Sequence, residues 1–552
     1  MESPPQKERI TSDQILSIKY RKVKHCNITF EPDGRRISIH EGATLLEAAG
    51  KAGIILNTVC GGKGICKKCL VSLQPGGEQV PACQYHIQSD ITVTIPTTSR
   101  FFGQRILTHG IETQTEVQPD IYKKYLDIAA AGKIFGTALD IGTTTVVAKL
   151  INMADGQCLA TEAALNPQIR FGDDVVSRIA YGHTEERLAE LHRMIIDCLN
   201  KLIDRLCEQA SVLPDDIYEM CVVGNTTMNH IFLKLPIKQL GQAPYEAFSL
   251  DAHDSSAEQM QLNINPAANI HTVENIAGFV GADTTAVALA TGIDSAEEVT
   301  LAVDIGTNGE LVLAAGDKLY AASCAAGPAF EGARIACGSR AVQGAIEAVV
   351  ANDADINLDV IGGGPARSIC GSGLIDAVAV LLALDIIESS GRFANPTTLK
   401  GKLSPAIVSR IIEQGGQPAF VLAPGEQAGG QEVVLTQRDI RQVQLAKAAI
   451  RAGTKLLQKK VGLEDSDIKQ IFLAGAFGNY IRKESALRLW LLPDVPPERI
   501  HFVGNAAASG AQMILTSSRL RESARDLARK IEYIEIAHEK EFSDVFANCM
   551  SF

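Results

Sequence analysis

The sequence predicts a multidomain chain of α+β and α/β type, with a small cysteine-bearing module ahead of two related halves that face each other across a cleft. Three observations predict it. Residues 136–150 (GTALDIGTTTVVAKL) and 301–315 (LAVDIGTNGELVLAA) repeat one pattern: an apolar run, Asp-Ile-Gly-Thr, then a second apolar run. Four of the thirteen cysteines cluster as Cys60-x5-Cys66-x2-Cys69 followed by Cys83. Long stretches of helical periodicity, at 184–210 and 436–462, alternate with short β-type runs.

The repeat organises the rest. Each copy reads as two buried strands joined by a tight turn, in which Gly142 or Gly306 would permit positive φ. Thr143, Thr144, Thr307 and Asn308 add hydroxyl and amide donors beside backbone N–H groups. One Asp-Ile-Gly-Thr is an ordinary hairpin turn; two, 164 residues apart, imply a duplicated fold. Facing each other, the turns would cradle a polyphosphate, with Asp140 and Asp304 holding a divalent cation directly or through water.

Composition bounds the function. At 552 residues and 46% hydrophobic content the chain should hold three or four domains with sizeable cores. A net charge of −12, without a basic stripe interleaved with aromatics, argues against a nucleic-acid surface. No run approaches the ~18–20 apolar residues of a membrane span, and the polar start (MESPPQKERITSDQ) lacks a signal-peptide core. The expectation is a cytoplasmic protein without a membrane partner. The scattered cysteines read as small buried hydrophobes, not as a disulfide framework.

In chain order, residues 1–25 read as a flexible tail and 26–96 as a compact module. Two strands flank the Asp33-Gly34 turn signal, and TLLEAAGKAG (44–53) is a short helix closed by Gly53. The glycine-rich cysteine loop, a strand and the returning Cys83 complete the order of a β-grasp ferredoxin. Glycines 61, 62 and 64 let the loop wrap a cluster, and four thiolates suffice for 2Fe–2S. Zinc and free thiols are the rivals, but zinc ribbons usually carry two Cys-x2-Cys knuckles and only one is present. Only thirteen residues separate Cys69 from Cys83, short for a plant-type ferredoxin, which makes Cys83 the weakest of the four assignments.

Residues 97–133 read as a linker that lets the cluster module move, with a short helix at 119–133; the plain alternative is a packed connection. The first lobe spans 134–300. Its helix 184–210 carries Leu188, Leu191, Ile195, Leu202 and Leu206 on one face, and its Cys198, Cys207 and His192 read as packing or surface residues. Gly224-Asn225-Thr226-Thr227 is either a third polar turn at the cleft or a well-capped helix. The small residues of 278–292 suggest close packing between lobes.

The second lobe spans 301–552. A Gly/Ala-rich loop (322–346) carries Glu331 and Arg334 as its main charges, and 370–387 is a buried helix. On the helix 436–462, Arg438, Lys447 and Lys455 face a ligand or solvent. In IFLAGAFGNY (471–480) a buried strand runs into Gly475 and Gly478, where backbone could lie against a flat base or ribose.

The two Asp-x-Gly-Thr hairpins and the third glycine motif resemble the phosphate and adenosine motifs of the superfamily of acetate and sugar kinases, Hsp70 and actin. That resemblance implies two ribonuclease-H-like lobes with ATP in the cleft, and 504–515 as a helix connecting them. The whole order from about residue 26 resembles the reductive activators of corrinoid-dependent methyltransferase systems. The resemblance rests on the cysteine set, ALDIGTTT, VVGNTTMNH, VDIGTNGE, AAGPAFEGA and LAGAFGNY.

It implies ATP-dependent reduction of inactive Co(II) to Co(I) in a corrinoid protein, by an electron passed through a 2Fe–2S cluster on Cys60, Cys66, Cys69 and Cys83. A plant-type cluster near roughly −400 mV is not clearly reducing enough, and for one electron each ~59 mV is a factor of ten. The cleft closing on Mg-ATP would therefore have to bias the electron-transfer complex. Asp140 and Asp304 position metal or water, Gly142, Thr143, Thr144, Gly306, Thr307 and Asn308 hold phosphates, and Gly475 and Gly478 hold the adenosine. A low-potential donor is implied, and an apolar face on the first lobe leaves room for a homodimer. The alternatives are a small-molecule kinase with a redox-sensing iron–sulfur domain, with Asp304 as its base, and an ATP-gated scaffold.

Overall fold

The computed structural model describes residues 25–31, 34–52, 54, 56, 69–96, 99, 117–119, 134–172, 174–428, 430–475 and 481–552. The tail, Asp33, Gly53, the glycine-rich loop with Cys60 and Cys66, most of the 97–133 linker with its helix, and Gly478 lie outside the described residues.

The N-terminal module is one five-stranded sheet, β1 His25–Glu31, β2 Arg35–His40, β3 Leu70–Gln74, β4 Glu78–Pro81 and β5 Ile91–Thr94, in the order β2-β1-β5-β3-β4. β1 and β5 run parallel at the centre, and β2 and β4 are hairpin partners at the edges. Helix α1, Leu45–Lys51, starts at Thr44, whose hydroxyl and amide both bond Glu47. Alternation along β1 puts Cys26, Ile28 and Phe30 inside, against Leu45 and Ala48. This is the β-grasp arrangement the hairpin–helix–cysteine order implies.

The first half carries β6 Phe135–Ile141, β7 Thr145–Asn152, β8 Cys158–Leu165, β9 Ile217–Gly224, β10 His253–Ser256 and β11 Asn269–Thr272, ordered β10-β11-β9-β6-β7-β8. Its helices are α2 Val175–Tyr181, α3 Glu185–Ala210, α4 Thr226–Phe232 and α5 Ala282–Thr291. α3 is capped by Thr184 and buries Leu188, Leu191, Ile195, Leu199, Leu202 and Leu206 against the β7–β8 side. Cys207 is buried on the same helix, and His192 bonds the carbonyls of Ile231 and Phe232, so both are packing residues.

The second half repeats the plan. β12 Thr300–Ile305, β13 Gly309–Ala315 and β14 Lys318–Cys324 form an antiparallel meander. Two three-stranded sheets follow, β15 Ala345–Ala351 with β16 Ile356–Val360 and β17 Ser368–Ile369, then β18 Ile411–Gln414 with β19 Gln417–Ala423 and β20 Val433–Thr436. β21 Gln470–Ala474 and β22 Ile500–Gly504 return parallel to β12, and β23 Ile531–Tyr533 closes the far edge beside β14. The order β22-β21-β12-β13-β14 matches β11-β9-β6-β7-β8 strand for strand, so the duplication read from two tetrapeptides extends to five strands of each sheet, with β10 and β23 added at opposite edges.

Helix α6 Gly371–Ala383 packs against β15, α7 Gln437–Val461 covers the second sheet at β13 and β14, and α8 Ala506–Thr516 and α9 Ser518–Lys530 finish the layer between the halves. α8 lies against β6 and β9 of the first sheet and against α5. A Cβ on Gly510 would come within 2.2 Å of the Ala286 carbonyl oxygen, so only glycine allows that approach. Arg521 of α9 pairs with the buried Glu219 of β9 at 2.8 Å. One apolar core therefore contains residues of both sheets, such as Ala138 and Val312, with α5 and α8 between them.

One sequence expectation fails on α7. Lys447 faces neither ligand nor solvent; it is buried, donates to the Ser551 carbonyl and lies over the Phe552 ring. The C-terminal residues fold back over that face of the helix, and Gln444 bonds the Met550 carbonyl. Among the described residues no helix is long and apolar enough to cross a membrane.

Candidate functional site

The two Asp-Ile-Gly-Thr turns meet. β6 ends at Ile141 and β7 begins at Thr145, while β12 ends at Ile305 and β13 begins at Gly309, so each turn has three residues. The Thr144 and Thr307 hydroxyl oxygens are 3.2 Å apart across the two halves. Both hydroxyls also donate to one carboxylate, Thr144 to Glu331 Oε2 at 2.8 Å and Thr307 to Glu331 Oε1 at 2.6 Å.

The expected positive φ is absent at both turn glycines. Gly142 is required for space instead: a Cβ there would sit 2.6 Å from the Thr145 carbonyl oxygen, which accepts the Gly142 N–H. Gly306 has open room, its nearest neighbour being the Asn308 carbonyl oxygen at 3.6 Å. The Gly142 and Gly306 amides are thus used inside the turns, bonding Thr145 and Asn308 at 2.9 Å each. The amides of Thr143, Thr144, Thr307 and Asn308 find no backbone acceptor among the described residues.

The first turn is braced from below. Arg178 of α2 is fully buried and donates to the Thr143 carbonyl, the Gly172 carbonyl and Gln168. Asn166 bonds the Gly142 carbonyl at 2.9 Å, and Asn225 donates to the Thr143 hydroxyl at 2.9 Å while capping α4. Both readings of Gly224-Asn225-Thr226-Thr227 therefore hold: it caps a helix and touches the cleft turn.

Asp140 and Asp304 are the last-but-one residues of β6 and β12, beside the turns and half-buried. Burial, followed by the charge of Asp283, pushes Asp140 up to about 7, and an Asn505 hydrogen bond (3.0 Å) works against the rise. Burial, then Asp283 and Asp140, pushes Asp304 up to about 8. Asp283, in the first turn of α5, rises to about 6 by burial, and Glu310 on β13 rises well above the usual carboxylate range for the same reason with Asp283 and Asp304 adding. Four carboxyl groups thus share one weakly solvated region, which favours a cation or bound protons. The sequence alone does not single out Asp283, Asn505 or Arg178, which lie outside the repeated turns, and it shows Glu310 in the second repeat and Glu331 in the small-residue loop without giving either a role at the site.

Gly475 follows β21 with φ +95°, and a Cβ on it would lie 2.5 Å from both Asp304 Oδ1 and the Ile305 carbonyl oxygen. Gly475, the described glycine of the third motif, is therefore seated directly against the second aspartate. In the N-terminal module, Cys69 and Cys83 are buried with sulfurs 3.5 Å apart. That is far beyond a disulfide bond of ~2.05 Å and close to the ~3.7 Å between two thiolates on one tetrahedral metal with ~2.3 Å bonds. The two described cysteines fit a shared metal ion.

Comparison with known proteins matches the chain in three consecutive parts. Residues 25–98 match a 2Fe-2S iron-sulfur cluster binding domain, 135–296 the RACo middle region, and 298–552 the C-terminal domain of RACo, the ASKHA domain. A corrinoid activation enzyme, RamQ, of Eubacterium limosum is 34% identical, over 92% of this chain and 96% of its own. A [Co(II) methylated amine-specific corrinoid protein] reductase of Methanosarcina barkeri is 26% identical, over 76% and 77%. Among solved structures, a reductive activator for corrinoid, iron-sulfur protein superposes with a TM-score of 0.71 at 31% identity, covering 96% of this chain and 98% of that one.

Proposed function

The chain belongs to the RACo family of corrinoid-activating proteins, and from that premise we propose how its own residues carry out reductive activation of a corrinoid protein. It is an activase with a 2Fe–2S module and an ASKHA-type cleft. The finer reading is that it reduces inactive Co(II) to Co(I) in its partner, drawing on a low-potential donor and coupling the step to ATP hydrolysis. The observation that carries it is that the match to a corrinoid activation enzyme spans the cysteine module and the cleft together, over 92% of the chain.

In this reading Cys60, Cys66, Cys69 and Cys83 hold the cluster, and the 3.5 Å sulfur pair supports Cys83 as the fourth ligand. When bound, a 2Fe–2S cluster supplies one-electron transfer at low potential. Thr143, Thr144, Thr307 and Asn308 offer amides and hydroxyls to the phosphates of ATP, Gly142 and Gly306 complete those turns, and Gly475 and Gly478 lie beside the adenosine. Asp140 and Asp304, once deprotonated, would position Mg2+, whose charge would offset the carboxylate charge that burial disfavours, or would orient the attacking water.

Coupling follows from the packing. Asn505 caps α8 and touches Asp140, while the other end of α8 holds the linker: the Gln118 N–H bonds the Thr516 carbonyl, and the Ser518 N–H bonds the Gln118 carbonyl, each at 2.8 Å. A change in lobe angle on nucleotide binding reaches the cluster module through that helix. A cytoplasmic location and a homodimer complete the reading. No observation favours the kinase alternative.

Cys83→Ser tests the assignment of the cluster. The expected outcome is loss of the cluster's visible absorbance and of corrinoid reduction with nucleotide binding intact; a variant that keeps a stable 2Fe–2S spectrum would remove Cys83 from the ligand set.

A further inference from the structure

Glu331 stands where the cleft would receive a polyphosphate. It ends the short turn Pro328–Glu331 after β14, and its two oxygens accept one hydroxyl from each half of the protein, Thr144 at 2.8 Å and Thr307 at 2.6 Å. A threonine hydroxyl carries a single proton. While both protons are given to Glu331, neither threonine has one left for a phosphate oxygen. An anionic carboxylate in the same spot also opposes an anionic ligand.

The carboxylate has somewhere else to go. A cavity of about 190 Å³ lies beside it, lined by Glu331, Gly332, Ala333, Ser339 and Arg340 among others. Arg340 makes no ion pair within 4 Å among the described residues; burial raises the Glu331 carboxyl above its ordinary value, and the Thr307 and Thr144 hydrogen bonds, then the charges of Arg340 and Arg178, work against that rise.

We propose that Glu331 is a latch: it ties the two turns together, competes with the nucleotide's phosphates for the Thr144 and Thr307 hydroxyls, and yields by turning toward Arg340. The proposal rests on the reading of the cleft as an ATP site. It makes Glu331 a positioning residue that sets how readily the cleft loads and closes, a role separate from holding Mg2+ or water.

The test is equilibrium binding of ATP to the full-length protein by calorimetry, with and without Mg2+, for the wild type, Glu331→Gln, Arg340→Ala and the double variant. Melting temperatures establish that each is folded. Glu331→Gln keeps the side-chain shape but removes the charge and leaves one acceptor oxygen, and it should bind ATP at least tenfold more tightly. Arg340→Ala should weaken binding in the wild type and have little effect in the Glu331→Gln background, because the arginine acts through the glutamate. If Glu331→Gln does not fold, Glu331→Asp, too short to span both hydroxyls, should show tighter binding by several-fold. Weaker binding in the Gln and Asp variants, most of all with Mg2+, would make Glu331 part of the nucleotide or metal site and overturn the latch. An equal loss from Arg340→Ala in both backgrounds would overturn the turn toward Arg340. Absence of ATP binding in wild type and variants alike would remove the ATP reading itself, a different result from wild-type binding that the variants fail to improve.

Discussion

The hydroxyl oxygens of Thr144 and Thr307 lie 3.2 Å apart although 163 residues separate them in sequence. Thr144 is the last residue of the first turn, and Thr307 is the middle residue of the second. Their meeting means the cleft is pinched at its base, where a small rotation of one half changes the geometry of both turns. Thr144→Val and Thr307→Val should each lower the nucleotide-free stability slightly, and the double variant should lose less than the sum, by about 0.5 kcal/mol or more, as expected of residues in one network. Denaturant unfolding of the four proteins checks this; strict additivity would mean the turns do not act together.

The duplicated glycines should not tolerate the same change. Gly142→Ala places a methyl group 2.6 Å from the Thr145 carbonyl oxygen, so the first turn must open. Gly306→Ala meets nothing closer than 3.6 Å at an unstrained φ. ATP affinity should fall at least tenfold in the first variant and within twofold in the second, read by calorimetry. Equal losses would show that ATP binds to a cleft of a different shape.

Nucleotide-free stability should depend on pH through Asp140 and Asp304. Their folded values, about 7 and about 8, lie above the unfolded 3.8. The folded protein therefore binds more protons than the unfolded one, and the stability this contributes is full below pH ~4 and lost as pH rises through 7 and 8. The melting temperature without nucleotide should fall between pH 6 and 9. Asp304→Asn should flatten that fall and stabilise the protein at pH 8 by on the order of 1 kcal/mol, since a tenfold change in proton affinity is worth ~1.4 kcal/mol. The sign reverses for function: ATP with Mg2+ should bind better at pH 8 than at pH 6, because the protons must leave. A melting temperature that rises from pH 6 to 9 would contradict this picture.

Much of the fold was legible because it is written locally. Apolar runs around Asp140 and Asp304 announced two hairpins, and the spacing of Leu188, Leu191 and Ile195 announced α3. The duplication followed from two tetrapeptides, and the matching strand orders of the two sheets bear it out. The site was legible where its residues lie in the repeated turns or in a polar or glycine-bearing turn after a buried strand, as Asn225 and Gly475 do. Glu331 reaches the threonines from another turn, Asp283 from the first turn of α5, and Asn505 from a helix cap 365 residues from Asp140. Such meetings are made by tertiary packing and leave no period in the sequence. The turn glycines misled for a related reason: glycine serves both positive φ and close approach, and only the neighbouring Thr145 carbonyl shows which applies at Gly142. Lys447 misled because its position on α7 reads as polar until the chain's last residues cover it.

We propose that the cleft's use of ATP and the cluster's electron serve one reaction. It is tested most directly under anaerobic conditions, by recording the visible spectrum of a Co(II) corrinoid protein mixed with this protein and a low-potential reductant, with and without Mg-ATP. The Co(I) band should appear only when ATP is present, and should be lost in Cys83→Ser and in Asp304→Asn. A Co(I) band of equal size without ATP, or ATP hydrolysis while the corrinoid stays Co(II), would contradict it.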